Sequence, residues 1–359
     1  MQRLHTRQVA GMPCLEELVA ARDTLFQDGY SACPSWQELW EGARPQPPDH
    51  TEPGEWRHGW QFHASIARET RFRAQTVLPS MSYADQAWLE SRSGRCSGRH
   101  LTMIPTSPES TYTPERFRAL LQRRLRLPLA ISSRYCNGRS CRAALDGHGD
   151  HRSACSRAGR LLKRGSPVER MWARVCREAG GRVRTNVFLR DMNLHGISGN
   201  DGRRIEVVVN GLPVYSGKQV AIDATIVSPL RATGQPIPGA ASHPGTALNN
   251  ALRKKRRTYP ELAQSSRCHL LVAAVETGGR WNEEAYRFLV VLAKAKARAS
   301  PAPLRRAVTS ALLHRCTGMI AFAVHDAYAA SLLEESPAET LATDGEEPPL
   351  ASLLDAAMA

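Results

Sequence analysis

Between Arg182 and Val227 the chain carries three short apolar runs rich in β-branched residues, and two of them are interrupted by a carboxylate. The runs extend from Arg182 to Leu189, from Ile205 to Asn210 and from Val220 to Val227. Glu206 stands among Ile205, Val207, Val208 and Val209, and Asp223 among Val220, Ile222, Ile226 and Val227. Runs of this kind form strands. An ionised carboxylate inside one is costly unless it is paired or metal-bound. Two such acids on adjacent strands joined by a turn can hold one divalent ion between them, an arrangement that activates water and stabilises a pentacovalent phosphate. Period-2 alternation offers a plainer outcome, in which an acid, Glu206 above all, faces solvent.

The flanking segments extend this into a fold. A helix from Ser166 to Ala179 ends at Gly180-Gly181, a strong C-terminal stop. After the three strands come a basic helix from Thr246 to Tyr259, a strand from His269 to Val275, and two helices over Trp281 to Arg298 and Pro303 to Leu333. The order α-β-β-β-α-β-α predicts an α/β fold with a mixed sheet over residues 166–333, not a string of βαβ units. Residues 1–58 are rich in loop and turn formers. Residues 59–130 read as a helical connector, with one helix from Gly59 to Leu89 and a second capped by Thr113-Pro114 and stopped by Pro128. Residues 334–359 are acidic and Pro/Ala-rich, and are expected to be a disordered tail.

Residues 134–160 contain Cys136, Cys141, His151 and Cys155, four nitrogen and sulfur ligands in a short Gly-rich loop. Such a set can close a tetrahedron around a structural Zn²⁺, whose binding free energy folds a segment too small for its own core. His148 competes with His151 for the third position. Gly147 and Gly149 are expected to supply the tight backbone.

Charge narrows the choice of partner. Lys plus Arg number 48 against 34 Asp plus Glu, a net charge of +14. That balance points to a polyanion, and for a soluble chain to DNA or RNA. Arg123 and Arg124 on the 113–127 helix, and Arg253, Lys254, Arg256 and Arg257 on the basic helix, are the candidate phosphate contacts. Lys255, in the same run, or Lys254 could stand near a scissile phosphate. An odd count of nine cysteines, six of them scattered, and the absence of an apolar leader at Met1 predict a reducing compartment, nucleus or cytoplasm, and no secretion. No membrane is expected as partner, because no run approaches 18 apolar residues.

Taken in sequence, these blocks resemble a known family. They include Cys136 and Cys141; Asp146, His148, Gly149, Asp150, His151 and Cys155; Cys176 to Val183; Arg204 to Val208; Ala221 to Leu230; and Thr258 to Leu262. Their succession is similar to the C-terminal region of non-LTR (LINE-like) retrotransposon polyproteins of the kind abundant in dinoflagellate-type protists. The resemblance implies a CCHC zinc knuckle followed by a restriction-endonuclease-like domain of the PD-(D/E)XK type, which nicks target DNA with Mg²⁺. By position, Glu206 falls on the first acidic motif residue and Asp223 on the second. Thr225 occupies the motif lysine's place, and the resemblance shifts that role to Lys254 or Lys255 on the following helix. Glu169 falls where related nucleases place another acid. No reverse transcriptase active site is present: Tyr83-Ala84-Asp85-Gln86 lacks the second carboxylate. The alternative from a different class is a non-catalytic nucleic-acid-binding remnant on a decayed nuclease scaffold.

Overall fold

The computed structural model describes residues 69–105, 110–130, 133–138, 140–192 and 194–334. The N-terminal segment 1–58 and the tail beyond Glu334 lie outside them. The chain divides into two units, Met1–Ser82 and Tyr83–Ala359. In the first, Arg73–Val77 is wound as a π-helix that runs into Leu78–Ser80, and the helix ends at Met81, which is extended (φ −99°, ψ 147°). Pro79 lacks the N–H that a continuing helix needs. The single helix expected from Gly59 to Leu89 is therefore interrupted.

The second unit is built on the predicted strands. Strands β1 (Arg182–Phe188), β2 (Arg204–Asn210), β3 (Gln219–Val227) and β4 (Cys268–Glu276) form one sheet in the order β1-β2-β3-β4. The first two pairings are antiparallel and β3 pairs with β4 in parallel, so the sheet is mixed. In chain order the unit's α-helices of five or more residues, among the described residues, are α1 (Tyr83–Ser91), α2 (Pro114–Arg124), α3 (Asp150–Ala154), α4 (Gly165–Glu178), α5 (Thr246–Thr258), α6 (Glu283–Ala297) and α7 (Arg305–Leu333).

Alternation along the strands gives the sheet two apolar faces. One packs Val207, Val209, Val220, Ile222, Leu271 and Ala273 against Trp172 of α4, Phe288 of α6 and Ile320 of α7. The other packs Ile205, Val208, Ala221 and Val272 against Leu248 of α5, Tyr259 and Leu262. Burial on both faces explains why β3 and β4 read as continuous apolar runs. Asp223, one residue beyond Ile222, belongs by alternation to the α5 side.

By length and composition alone, Ala302–Leu333 could cross a membrane, so the expectation that no segment would qualify is corrected. Its apolar residues face protein: Val308, Ala311, Ile320, Ala321, Val324, Tyr328 and Leu332 are buried against α6, α4, α2 and the connector. A helix buried on several sides needs no polar stripe.

The Cys/His loop and the connector from Tyr83 onward belong to the same unit as the sheet. The boundaries expected at 130–134 and 160–166 thus divide segments of chain, not separate bodies. A charged hub ties them together. Asp150, at the start of α3 and 3% exposed, pairs with Arg123 at 2.5 Å and with Arg126 at 2.7 Å; Arg126 also reaches Asp85 at 2.7 Å. Arg123 lies over the Trp88 ring and donates to the Tyr328 hydroxyl and the His148 carbonyl.

Arg123 is 1% exposed, which corrects its assignment as a phosphate contact: its charge is spent on Asp150. The same hub explains why α2 stops at Arg124, short of Pro128. Arg126 takes φ +60°, and the Leu127 N–H reaches back to the Gln122 carbonyl in a left-handed C-terminal cap. A non-glycine residue in that region is strained, and its guanidinium is held there by two carboxylates.

Asp150→Ala leaves two guanidiniums without their buried counter-charge. It is expected to lower stability by ~3–5 kcal/mol, read as the shift in the urea midpoint followed by circular dichroism.

Candidate metal centre and acidic site

The Cys/His loop starts as a small antiparallel turn. The Cys136 N–H donates to the Ala143 carbonyl and the Leu145 N–H to the Arg134 carbonyl, which turns Cys136 and Cys141 toward one another. Gly149 follows with φ +77°, and a Cβ there would stand 2.8 Å from Leu129; this position requires glycine. Gly147, expected to share that duty, has open space around it and no positive φ. Asp146 accepts from the backbone N–H groups of His148, Asp150 and His151 at 2.8–2.9 Å, organising the entry into α3.

This backbone brings Cys136, Cys141, His151 and Cys155 together, with their ligand atoms all within 4.8 Å of one another, so the cluster could hold a metal ion. The sulfur separations are 3.9 Å (Cys136–Cys155) and 3.7 Å (Cys141–Cys155), and Cys141 Sγ lies 3.4 Å from His151 Nε2. Bonds of about 2.3 Å to sulfur and 2.0 Å to nitrogen give a tetrahedron with edges of about 3.8 and 3.5 Å. The set therefore has the size of a four-coordinate site. His151 Nδ1 lies 2.9 Å from the Ala232 carbonyl. Donation there puts the proton on Nδ1 and leaves Nε2 free to ligate. His148, the rival, takes part through its backbone.

The acidic site forms where β2 leaves β3. The two strands pair at Val207↔Ile222, Val208↔Ala221 and Val209↔Val220, and pairing stops there, while β3 stays paired with β4 as far as Val227↔Glu276. Continuing the register by one step puts Glu206 across from Asp223. The Ala224 N–H donates to Glu206 Oε2 at 2.8 Å, so a side chain replaces a ladder bond. On the other flank, the β1–β2 pairing skips Asn186, which has φ +52° and stands opposite Glu206.

Helix α5 crosses this gap. Lys255 Nζ lies 2.6 Å from Asp223 Oδ1 and 2.8 Å from Oδ2. Of the two lysines, Lys255 is the one against Asp223; Lys254 is exposed. Tyr259, four residues on, donates its hydroxyl to the Arg204 carbonyl at 2.9 Å and borders Asp223.

Charge is crowded here. Burial, and then the charge of Asp223, push the Glu206 carboxyl up to about 8, against the pull of Lys255. Burial also raises Asp223, opposed by Lys255. Glu169, near the start of α4, is raised by burial and by Asp223. Three carboxyl groups thus share one ammonium, and burial raises all three.

The remaining expected contacts sort by position. Arg253, Lys254, Arg256 and Arg257 are exposed along α5, Arg256 pairing with Glu284 at 3.4 Å. Arg124 is half-buried. Two cations went unforeseen: the guanidiniums of Arg190 and Arg204 lie 4.2 and 4.0 Å from the Phe188 ring, at the β1 edge beside Glu206. Their only advance sign is Arg204 standing two residues before Glu206. Tyr259 had one too, its i,i+4 spacing from Lys255. No protein-family model matches the chain, and no curated protein matches it significantly.

Two outcomes are expected. If the Cys/His cluster holds an ion, His151→Gln or Cys155→Ser should abolish its binding, measured by mass spectrometry of the native protein. Either should also lower the unfolding temperature of the whole second unit, because α3 is part of its core. The Glu206 carboxyl is raised above its unfolded value, so its contribution to stability is present below about 4.5 and lost as pH rises through about 8. Without added divalent ions, wild type should lose stability relative to Glu206→Gln between pH 5 and 9, roughly 2–4 °C in Tm for each kcal/mol. Taking the difference from this variant cancels the opposite, low-pH loss from protonation of the cysteine ligands.

Proposed function

We propose that the chain binds nucleic acid and carries a metal-dependent DNA endonuclease centre of the restriction-endonuclease-like PD-(D/E)XK type, of non-LTR retrotransposon origin. The observation that carries the reading is Lys255 on Asp223 at 2.6 Å, beside Glu206, at the point where two strands part. Glu206 and Asp223 would hold Mg²⁺, with Glu169 adding charge from α4. The ion's chemistry is to lower the pKa of a bound water and to offset charge on the phosphate.

The chain's own residues supply the rest. Lys255 Nζ presents three donors, one face turned to Asp223, and stands where it can donate to a phosphate oxygen or orient the attacking water. Burial and two acids keep the Tyr259 phenol protonated, so its hydroxyl remains a donor that fixes β2 through the Arg204 carbonyl. Arg204 and Arg190 on Phe188, with Arg253, Lys254, Arg256 and Arg257 along α5, offer phosphate contacts on either side of the acids. In this reading the ion held by Cys136, Cys141, His151 and Cys155 is Zn²⁺. Its role is structural, since all four positions are protein ligands.

One observation favours the non-catalytic alternative. Asp223 already has Lys255, and Glu206 already accepts from the Ala224 N–H, so each acid has one partner without an ion. Plasmid nicking decides between the two. Asp223→Ala and Lys255→Met are each expected to cut Mg²⁺-dependent nicking of supercoiled plasmid by at least 100-fold, about 2.7 kcal/mol of barrier, with DNA affinity unchanged in a mobility-shift assay. Binding by wild type without nicking at any Mg²⁺ or Mn²⁺ concentration would establish the binding-only remnant.

A further inference from the structure

Helix α5 has two unlike faces. One is turned to the protein: Ala247 and Leu248 are buried, Ala251 and Leu252 are half-buried, and Lys255 reaches Asp223 from the same side. The other is open. Asn249, Asn250, Arg253, Lys254, Arg256 and Arg257 are all exposed, and none of them is apolar or acidic. At 3.6 residues per turn, Arg253 and Arg257 stand about 160° round the helix axis from Lys255.

Most of the charge on this outer face is unanswered. Arg256, at its rim, pairs with Glu284 at 3.4 Å. Arg253, Lys254 and Arg257 have no carboxylate partner among the described residues. Attraction to the helix C-terminus accounts for Lys255, Arg256 and Arg257 in the last turn. It does not account for Arg253 or for the two asparagines before it.

Those asparagines break a local rule. Asn is a weak helix former that favours caps and turns, yet Asn249 and Asn250 lie inside α5, which starts at Thr246 after Gly245. Asn250 Oδ1 accepts from Arg253 Nη2 at 2.7 Å, and Arg253 Nε donates to the Asn249 carbonyl at 3.4 Å. The guanidinium is thus oriented by its own helix, with three of its five N–H donors uncommitted. The Asn249 side-chain amide has no hydrogen-bond partner among the described residues. A departure from local preference that brings no packing gain is expected where a surface has a binding task.

The residue types specify the partner. A guanidinium bonds guanine O6 and N7, and a side-chain amide bonds adenine N6 and N7. The major groove of B-form DNA is about 12 Å wide and admits an α-helix. That of A-form RNA is too narrow for side chains to read. A single strand calls for exposed rings on which bases stack, and this face has none.

We propose that the outer face of α5 lies in the major groove of double-stranded DNA, with Arg253 and Asn249 on base edges and Lys254 and Arg257 on flanking phosphates. The chain is then a sequence-selective binder of duplex DNA. This inference rests on the nucleic-acid-binding half of the proposed function and not on hydrolysis, since the face is turned away from Lys255.

Duplexes selected from a randomised pool by the full chain, without added Mg²⁺, test it, with affinities for the selected and scrambled sequences then measured over a range of salt. Wild type is expected to enrich a short motif and to prefer it over scrambled duplex by about 10-fold or more. Arg253→Gln should lose that preference at one base pair of the motif. Asn249→Ala should lose it at another while keeping or raising Tm, because Ala is the stronger helix former; a folding defect would lower both. Lys254→Gln and Arg257→Gln should instead weaken motif and scrambled duplexes equally, each lowering the slope of log K against log salt by about 0.9. DNA binding without an enriched motif, an unchanged motif in both Arg253→Gln and Asn249→Ala, or equal affinity for duplex RNA would overturn this role of α5 and leave nucleic-acid binding standing. Failure of wild type to bind any nucleic acid would overturn both.

Discussion

Parting of β2 from β3 one step beyond Val207↔Ile222 is the constraint on which the acidic site depends. Inside a continuous ladder, Glu206 and Asp223 would sit in a sheet covered on both faces, and their charges would have no outlet. The break leaves the Ala224 N–H to a carboxylate, places a kink at Asn186 on the opposite side, and opens a gap that Lys255 reaches from α5. The site is a local failure of sheet regularity, stabilised by the groups that the failure exposes. Edges and irregularities of this kind are where sheets accommodate polar function.

The Cys/His loop illustrates how little a motif says about its setting. Read in isolation, four ligands in a short Gly-rich stretch describe a small module hung between two domains. In the structure, α3 is buried, Asp150 pairs with two arginines of the connector, and His151 Nδ1 lies against the Ala232 carbonyl, in the loop after β3. Metal occupancy is thereby coupled to packing of the connector, α7 and the loop beside the sheet, because the same short helix carries a ligand and a hub of ion pairs.

Electrostatics divides the excess positive charge into two populations. Arg123, Arg126 and Arg116 are committed internally, to Asp150, Asp85 and Asp326. The α5 cations and the pair over Phe188 remain at the surface beside the acids. Composition alone counts all of these as available for a polyanion. Only burial separates structural charge from binding charge, and the two can be neighbours in sequence, as Arg123 and Arg124 are.

Much of the architecture was legible from one sequence because it is written in local physics. The strand runs are β-branched, the α4 helix stops at Gly180-Gly181, Thr113 caps α2 by accepting from the Arg116 N–H, and the ligand spacing closes a tetrahedron. The mixed α/β class follows from those elements in that order. What periodicity could not supply was anything set by contact between distant segments: Lys255 rather than Lys254 against Asp223, the burial of Arg123, and Ala232 behind His151. Local sequence determines which backbone hydrogen bonds a segment can make with itself and which of its faces is apolar. Which charges meet is decided by packing, since a carboxylate and an ammonium 32 residues apart find each other only after a strand and a helix have been laid across one another.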